Sequence, residues 1–112
     1  MSFVVEIRYY VTRAGVNAVD LWIRGLKNEP TEARIYARIE RLRNGNPGDS
    51  KSLGGGLLEL RIDAGPGYRI YYTMIGKSCV LLLCGGDKRG QSADIQRARE
   101  YLIDYRERTR TQ

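Results

Sequence analysis

Basic side chains that could bind a phosphate or activate a hydroxyl are concentrated in the second half of the chain. Arg61 and Arg69 flank a Gly-Pro-Gly turn in the segment ELRIDAGPGYRIYY, and Lys88 and Arg89 follow in GGDKRGQSADI. Guanidinium forks match phosphate oxygens in a bidentate way, and a lysine surrounded by other cations can act as a base. The chain has no histidine, so acid–base chemistry near neutral pH must use other groups.

The alternation of apolar and polar residues places the two arginines on one side of a predicted hairpin. Strands are predicted over roughly 57–63 and 68–74, because leucine and isoleucine alternate with polar residues there. If the apolar side packs on the core, Arg61 and Arg69 emerge together on the face directed away from the helices. Tyr71 falls on the same face, where it could stack on a base or simply pack on the surface.

Cations that converge on one surface repel one another unless an anion fills the space between them. At 4 Å, each like-charge pair costs about 1 kcal/mol in water and several times more near a protein surface. A phosphodiester is the anion that best fits guanidinium groups. The alternative is a set of ordinary surface ion pairs, of Arg61 with Glu59 or Asp63 and of Arg69 with Asp87. The joint placement of the cations favours a phosphate-binding surface.

The elements that position these residues begin with a strand and two helices. The period of two in SFVVEIRYYVT predicts a half-buried strand. Asn17 followed by Asp20 is typical of a helix start, and apolar residues recur at helical spacing after it. A second helix is predicted from Pro30, or just after it, to the turn formers NGNPGD. The break KNEP is so short that the two helices should pair as an antiparallel hairpin.

The remainder of the chain predicts a meander of strands and a final helix. Residues 54–56, three glycines, are interpreted as a flexible approach to the strand that carries Arg61. VLLLC is apolar on both faces, as expected of a strand covered on both sides, and SADIQRAREYLIDYRERT is predicted as a helix that frays over 107–112. The order β-α-α-β-β-β-α indicates one α+β domain over residues 1–112, a small antiparallel sheet packed on a helical hairpin.

The charge of the chain indicates a polyanion as partner. The formal net charge is +6, which favours RNA, DNA, the ribosome or an acidic protein, although solubility alone is an alternative reason. Arg34, Arg38 and Arg41 line one face of the second predicted helix. We interpret them as a solvated face, with a ribosomal RNA contact as the less favoured alternative.

Metal and membrane functions find no support in the composition. The two cysteines lack the spacing of a metal site and there is no histidine to complete one, so we expect no metal and no cofactor. No apolar run approaches the length needed to cross a bilayer. The first residues lack the features of a signal peptide, and we therefore expect a cytoplasmic protein.

Four segments in order, LWIRGLK, ARIERLRNGNPGD, ELRIDAGPGYRIYY and LLLCGGDKRGQSADIQRA, carry a resemblance to a known family. Over roughly residues 18–103 the chain resembles the RelE/ParE superfamily of bacterial toxins. Within it, the chain is most similar to the branch labelled phage-derived Gp49-like, HigB-type or addiction module killer proteins. The fold that this resemblance implies, a small curved sheet with a helical hairpin on one side, agrees with the predicted order of elements.

The resemblance implies the toxin of a type II toxin–antitoxin module, neutralised by a small helix-turn-helix antitoxin. Many members of the superfamily cleave mRNA on the ribosome without a metal, using basic residues on the sheet. By position in the motifs, Arg69 matches the family's arginine after Gly-Tyr, Arg61 a basic position on the preceding strand, and Lys88 and Arg89 the basic loop after the last core strand. The chain has SADIQ where the RelE pattern has a reactive tyrosine, which makes phosphate binding the firmer of the implied roles.

The implied chemistry is cleavage of RNA by its own 2′-hydroxyl. Lys88 would act as the base, Arg61 and Arg69 would hold the phosphate, and Arg89 would bind substrate or assist the leaving oxygen. The ribosome would supply alignment of the substrate. The alternatives are a ParE-like inhibitor of DNA gyrase without nuclease activity, and a non-toxic basic binding protein of phage origin.

Overall fold

The computed structural model of the protein describes residues 4–110 of the 112-residue chain. Its elements are, in chain order, β1 (Glu6–Tyr9), α1 (Ala18–Gly25), α2 (Glu29–Arg43), β2 (Ser50–Gly54), β3 (Leu57–Ile62), β4 (Tyr68–Ile75), β5 (Cys79–Asp87) and α3 (Gln91–Arg110), with a 3₁₀ turn over Lys88–Gly90. The predicted α+β class is confirmed. Residues 107–110, predicted to fray, are helical, and residues 1–3 and 111–112 of the predicted first strand and tail lie outside the described residues.

The sheet is mixed, rather than antiparallel as the sequence predicts. The five strands described lie in the order β1-β5-β4-β3-β2, and β1 runs parallel to β5 while the other neighbours are antiparallel. Two helices and a meander separate β1 from β5 in sequence, and a connection of that length can bring the chain back in either direction. The alternation of apolar residues in β1 reports which face is buried and carries no information on strand direction.

The three consecutive glycines form a turn between two strands, so the prediction of a flexible approach is wrong. Residues 50–54 pair with β3 as a hairpin strand, and Gly54, Gly55 and Gly56 have φ values of 87°, 64° and 86°. Only glycine adopts such values readily. Arg99 donates hydrogen bonds to the carbonyls of Leu53 and Gly54, at 2.9 and 3.2 Å, which fixes the turn against α3.

Helices cover both faces of the sheet, so the core has two layers. The layer under α1 and α2 contains Val19, Ile23, Ile35, Ile39, Leu42, Leu60, Ile70, Val80 and Leu82. The layer under α3 contains Leu57, Tyr71, Leu81, Leu83, Ala98 and Leu102. The strand VLLLC is buried throughout, as predicted. The face of the two arginines is not directed away from all helices, because α3 packs on part of it.

Side-chain caps define where α1 and α2 begin. Asn17 accepts a hydrogen bond from the backbone N–H of Asp20 at 3.0 Å, which confirms the predicted start of α1. Asn28 accepts one from the backbone N–H of Thr31, also at 3.0 Å, and Pro30 lies in the first turn of α2.

Candidate nucleic-acid interface

Arg61 on β3 and Arg69 on β4 lie directly opposite each other in the antiparallel register. They share a face of the sheet, as the alternation predicts, and their side chains are 38% and 13% exposed. Since residues that face each other across two strands have their side chains in contact range, two guanidinium groups are held together here. Such a pair requires a nearby negative charge.

The negative charge is Glu59, which is completely buried between the two arginines. Its Oε1 accepts a hydrogen bond from Nε of Arg61 at 2.8 Å and lies 3.5 Å from Nε of Arg69. Its Oε2 accepts a hydrogen bond from Nε2 of Gln91 at 3.0 Å. A buried carboxylate needs partners on both oxygens, and Glu59 has them. Two cations and one anion leave this group with a net positive charge.

The ion pairs in the structure differ in part from those that the sequence offered as an alternative. Arg61 pairs with Glu59 as that alternative states, but the carboxylate beside Arg69 is also Glu59 and not Asp87. The hydrogen bond to Glu59 raises the pKa of Arg61 above its ordinary value, so this guanidinium is firmly cationic. The bond uses Nε, so the terminal nitrogens of Arg61 keep their donors for another acceptor.

Lys88 lies beside Arg69 at the end of β5. Its backbone N–H donates to the carbonyl of Gly67 in the β3–β4 turn at 2.9 Å. A Cβ placed on Gly67 would lie 3.5 Å from Nη1 of Arg69 and 3.9 Å from Cβ of Lys88, so both residues border the same glycine. The Lys88 side chain is exposed. Within residues 4–110 it makes no ion pair, which leaves its charge unneutralised.

Arg89 lies next to Lys88 but is engaged with Asp87. Its Nη2 donates to Oδ2 of Asp87 at 2.8 Å, and its backbone N–H donates to Oδ1 at 2.8 Å. These hydrogen bonds hold the pKa of Asp87 below its ordinary value. The Arg89 side chain is 79% exposed, and exposed ion pairs of this kind contribute little stability. Arg89 can therefore exchange this partner for an anion at small cost.

Tyr71 does not lie on the surface, so the interpretation that it stacks on a base is wrong. Its side chain is fully buried under α3, in the layer that contains Ala98 and Leu102. The sequence reasoning assumed that this face of β4 was open, whereas α3 closes it. Burial raises the pKa of Tyr71, and the neighbouring Glu59 carboxylate adds to that rise. Tyr71 is therefore a core residue and supplies no surface for a substrate.

Two glycines at the end of β5 let α1 and α3 approach the sheet closely. A Cβ on Gly85 would overlap the ring of Trp22 in α1, and a Cβ on Gly86 would overlap the carboxylate of Asp94 in α3. Asp94 is nearly buried and its Oδ1 lies 3.2 Å from Nη1 of Arg97. The Gly-Gly pair therefore fixes the start of α3, and with it the position of the basic turn that precedes this helix.

The sequence did not reveal that Glu59 and Gln91 contact each other beside the two arginines. Glu59 was considered only as a surface partner of Arg61, because a carboxylate in a strand usually faces water. The signal was present, since Glu59 lies two residues before Arg61 on the same face of β3. Gln91, the first residue of α3, donates from its side-chain amide to Glu59.

Within residues 4–110, no group of three or more histidine, cysteine, aspartate or glutamate residues is placed to hold a metal ion. No helix within those residues is long and apolar enough to cross a membrane. Both cysteines are buried and carry free thiols.

Comparison with known proteins identifies a family to which the chain is similar over most of its length. Residues 22–102 match the family model described as Phage derived protein Gp49-like (DUF891). The chain belongs to this Gp49-like family. An uncharacterized protein of Haemophilus influenzae (strain ATCC 51907 / DSM 11121 / KW20 / Rd) is 51% identical to it over 80 residues, which are 71% of this chain and 81% of the relative. Every residue of the interface from Glu59 to Gln91 lies inside the segment that the Gp49-like model matches.

Proposed function

We propose that the protein is the toxin of a type II toxin–antitoxin module and that it inhibits translation as a ribosome-dependent, metal-independent mRNA endonuclease. The observation that carries the proposal is the pairing of Arg61 and Arg69 on one buried carboxylate, with Lys88 beside Arg69. Three cations and a single anion give this group an excess of positive charge at a partly open surface. Its resemblance to RelE/ParE toxins of the HigB type, and membership of the Gp49-like family, support the same assignment.

The proposed reaction is an attack of the ribose 2′-oxygen on the adjacent phosphorus. The new 2′-O–P bond forms as the P–O5′ bond breaks, leaving a 2′,3′-cyclic phosphate on one fragment and a 5′-hydroxyl on the other. An unprotonated Lys88 side chain accepts the 2′-hydroxyl proton and so becomes an ammonium group beside the phosphorane, and the leaving 5′-oxygen takes a proton from water, which leaves hydroxide. Arginine is a poor proton donor because its pKa lies above about 12, so Arg61 and Arg69 act by electrostatic stabilisation of the phosphorane.

Glu59 has a positioning role in this proposal. It is fully buried, so it does not reach a phosphate on the surface, but it holds Arg61 by a hydrogen bond to Nε and Arg69 by its charge at 3.5 Å. Preorganised donors stabilise developing charge without reorganisation during the reaction. Arg89 would bind a neighbouring phosphate after release from Asp87.

The proposed partners are mRNA, the ribosome and a co-expressed helix-turn-helix antitoxin. The ribosome aligns the scissile nucleotide. Such alignment can lower the activation barrier by several kcal/mol, which compensates for the few acid–base groups in the site. The antitoxin would bind the toxin and suppress its activity. We propose that all of these encounters take place in the cytoplasm.

One observation favours a second candidate function, a ParE-like inhibition of DNA gyrase without nuclease activity. Tyr71 is buried, so it cannot transfer a proton to a substrate, and the described cluster has few acid–base groups. A protein that inhibits by binding alone would need no acid–base group. This candidate predicts that loss of the Arg61–Arg69–Lys88 cluster is tolerated as long as the protein folds and docks.

Induction in bacteria, with mRNA 5′ ends mapped, tests the two candidates together. Wild type should arrest growth and produce new ends inside translated codons, and Arg69→Ala should do neither. Lys77→Ala removes a cation from the β4–β5 turn, at the opposite end of these strands, and should behave as wild type. Arrest with intact mRNA and DNA-damage signalling, retained in Arg69→Ala, would refute the nuclease and support gyrase inhibition. Unimpaired growth with the wild-type protein would refute both toxin functions.

A further inference from the structure

A second basic cavity adjoins the candidate interface at Arg61. It has a volume of about 370 Å³ and is lined by side chains of α2 and by the loop and strand that face them, with four arginines and two aspartates in its wall: Arg34, Arg38, Arg41, Asp49, Arg61 and Asp63. Three of the arginines lie on α2 at spacings of one helical turn, which corresponds to a rise of about 5.4 Å per turn. They form the stripe that the sequence suggested was a solvated face.

Arg38 is held at the centre of this cavity by neutral groups. Its Nη2 donates to the carbonyls of Pro47 at 2.9 Å and of Arg61 at 3.0 Å, and its Nε donates to the same Arg61 carbonyl at 3.3 Å. Carbonyls fix the guanidinium plane without neutralising its charge. Its Nη1 is buried and has no hydrogen-bond partner in the described part of the chain. A buried, unpaired donor on a charged group is rare and unfavourable.

Arg41 is directed to the same point as the unpaired nitrogen of Arg38. A Cβ placed on Gly48 would lie 3.0 Å from Nη1 of Arg38 and 3.2 Å from Nη2 of Arg41. Gly48 has a φ of 63°, so glycine is the residue that suits this turn, and a larger side chain there would press on both nitrogens. Burial, and next the charge of Arg41, lower the pKa of Arg38.

Neither aspartate of the wall neutralises the α2 arginines. Within residues 4–110, none of Arg34, Arg38 and Arg41 has a carboxylate oxygen within 4.0 Å, although the side chains of Asp49 and Asp63 are exposed close by. Arg34 donates instead to the backbone carbonyl of Asp63 at 2.8 Å. The cavity thus combines preorganised guanidinium donors, an unsatisfied donor and a positive excess. An anion with oxygen acceptors fits all three features.

We propose that this cavity is a second phosphate subsite, in which Arg34, Arg38 and Arg41 bind the backbone of the RNA strand that the Arg61–Arg69–Lys88 cluster holds. The proposal rests on the proposed function, because it takes the occupant to be RNA. Position and charge support that choice, since Arg61 borders both sites, with its side chain on Glu59 and its carbonyl bound by Arg38, and three further arginines line the cavity. A row of cations at turn spacing also matches an anion whose charges repeat along a chain.

Fluorescence anisotropy of a short single-stranded 2′-O-methyl RNA, which cannot be cleaved at its blocked hydroxyls, tests the subsite. Each phosphate contact on a single strand changes the slope of log K against log salt by about 0.7, which is about fivefold in affinity at 0.1 M salt. Arg41→Gln should show this loss of affinity and of slope. Lys77→Gln, which removes one cation from a distant turn, should show neither. Arg41 is exposed, so its substitution should leave the melting temperature unchanged.

Arg69→Gln separates the failure of this inference from the failure of the proposed function. If Arg41→Gln binds the RNA as wild type does, with the same salt slope, the subsite is refuted even when Arg69→Gln abolishes mRNA cleavage. If Arg41→Gln weakens binding but Arg69→Gln does not, the α2 arginines bind RNA independently, and the continuous path through Arg61 is refuted. If Arg41→Gln weakens only the complex with the antitoxin, the cavity is a protein interface and the inference fails.

Discussion

Substitution of Glu59 by glutamine removes the charge that holds Arg61 and Arg69 together while conserving the shape of the side chain. In the wild type, one carboxylate oxygen lies 2.8 Å from Nε of Arg61 and 3.5 Å from Nε of Arg69, and Glu59 is fully buried. In the variant, two guanidinium groups face a neutral amide, whose oxygen can accept a hydrogen bond but cannot balance their positive charge. The amide nitrogen is itself a hydrogen-bond donor, and it would lie among the donors of Arg61, Arg69 and Gln91.

The size of the effect follows from the burial of the three partners. Removing one member of a buried ion pair costs about 3–5 kcal/mol. Arg61 is 38% exposed and can turn toward water, and the glutamine oxygen can still accept one hydrogen bond, so we expect a loss of about 2–4 kcal/mol. For a domain of this size such a loss lowers the melting temperature by about 8–16 °C.

Urea denaturation at neutral pH measures this loss, with Glu100→Gln on the exposed face of α3 as the matched control. An exposed substitution of this kind should change stability by less than about 0.5 kcal/mol. The same Glu59→Gln protein, in conditions where it is folded, should bind RNA at least as tightly as wild type, since the site gains positive charge. A loss below about 1 kcal/mol, or one equal to that of Glu100→Gln, would refute the role assigned to the shared carboxylate.

Three further substitutions test the packing around the interface and the polar contacts that join α3 to the segment after β1. Gly86→Ala should destabilise the protein in urea by about 1–3 kcal/mol, because the new methyl group would overlap a carboxylate of α3; wild-type stability would contradict that contact. Tyr71→Phe removes a buried hydroxyl without a partner in residues 4–110, so stability should stay within about 1 kcal/mol of wild type or rise, and RNA anisotropy should not change; weaker RNA binding would restore a substrate role for this ring. Hydrogen bonds from the Tyr10 hydroxyl, then from Arg13, lower the pKa of Asp104, so its contribution to stability is present above about pH 4 and is lost as the pH falls further. In Asp104→Asn, the free energy of unfolding should therefore fall less steeply as the pH drops below about 4. An unchanged fall would argue against the stabilising role of the Asp104 contacts with Tyr10 and Arg13.

The sequence predicted local structure well where the pattern of apolar and polar residues along one segment was sufficient. The strands that carry Arg61 and Arg69 and the shared face of those residues follow from alternation, and the buried strand VLLLC follows from its apolar residues on both faces. The cap at Asn17 follows from local hydrogen-bonding chemistry. These features depend on neighbours within a few residues, which a sequence displays directly.

Features that depend on distant segments could not be predicted in the same way. The parallel pairing of β1 with β5 and the cover that α3 gives to the arginine face both join parts of the chain far apart in sequence. Tyr71 was placed on the surface because nothing local reveals that a helix closes over it. Glu59 reads as an ordinary strand carboxylate until the cross-strand arginine and Gln91 are seen around it.

Translation in a purified system, with ribosomes programmed by a defined mRNA, tests the central claim most directly. Wild type should cut the mRNA inside translated codons only when ribosomes are present, and should leave 2′,3′-cyclic phosphate ends, whereas Lys88→Ala and Arg69→Gln should leave the mRNA intact. Uncut mRNA with the wild-type protein, or equal cleavage by the two variants, would contradict the assignment of RNA cleavage to this cluster.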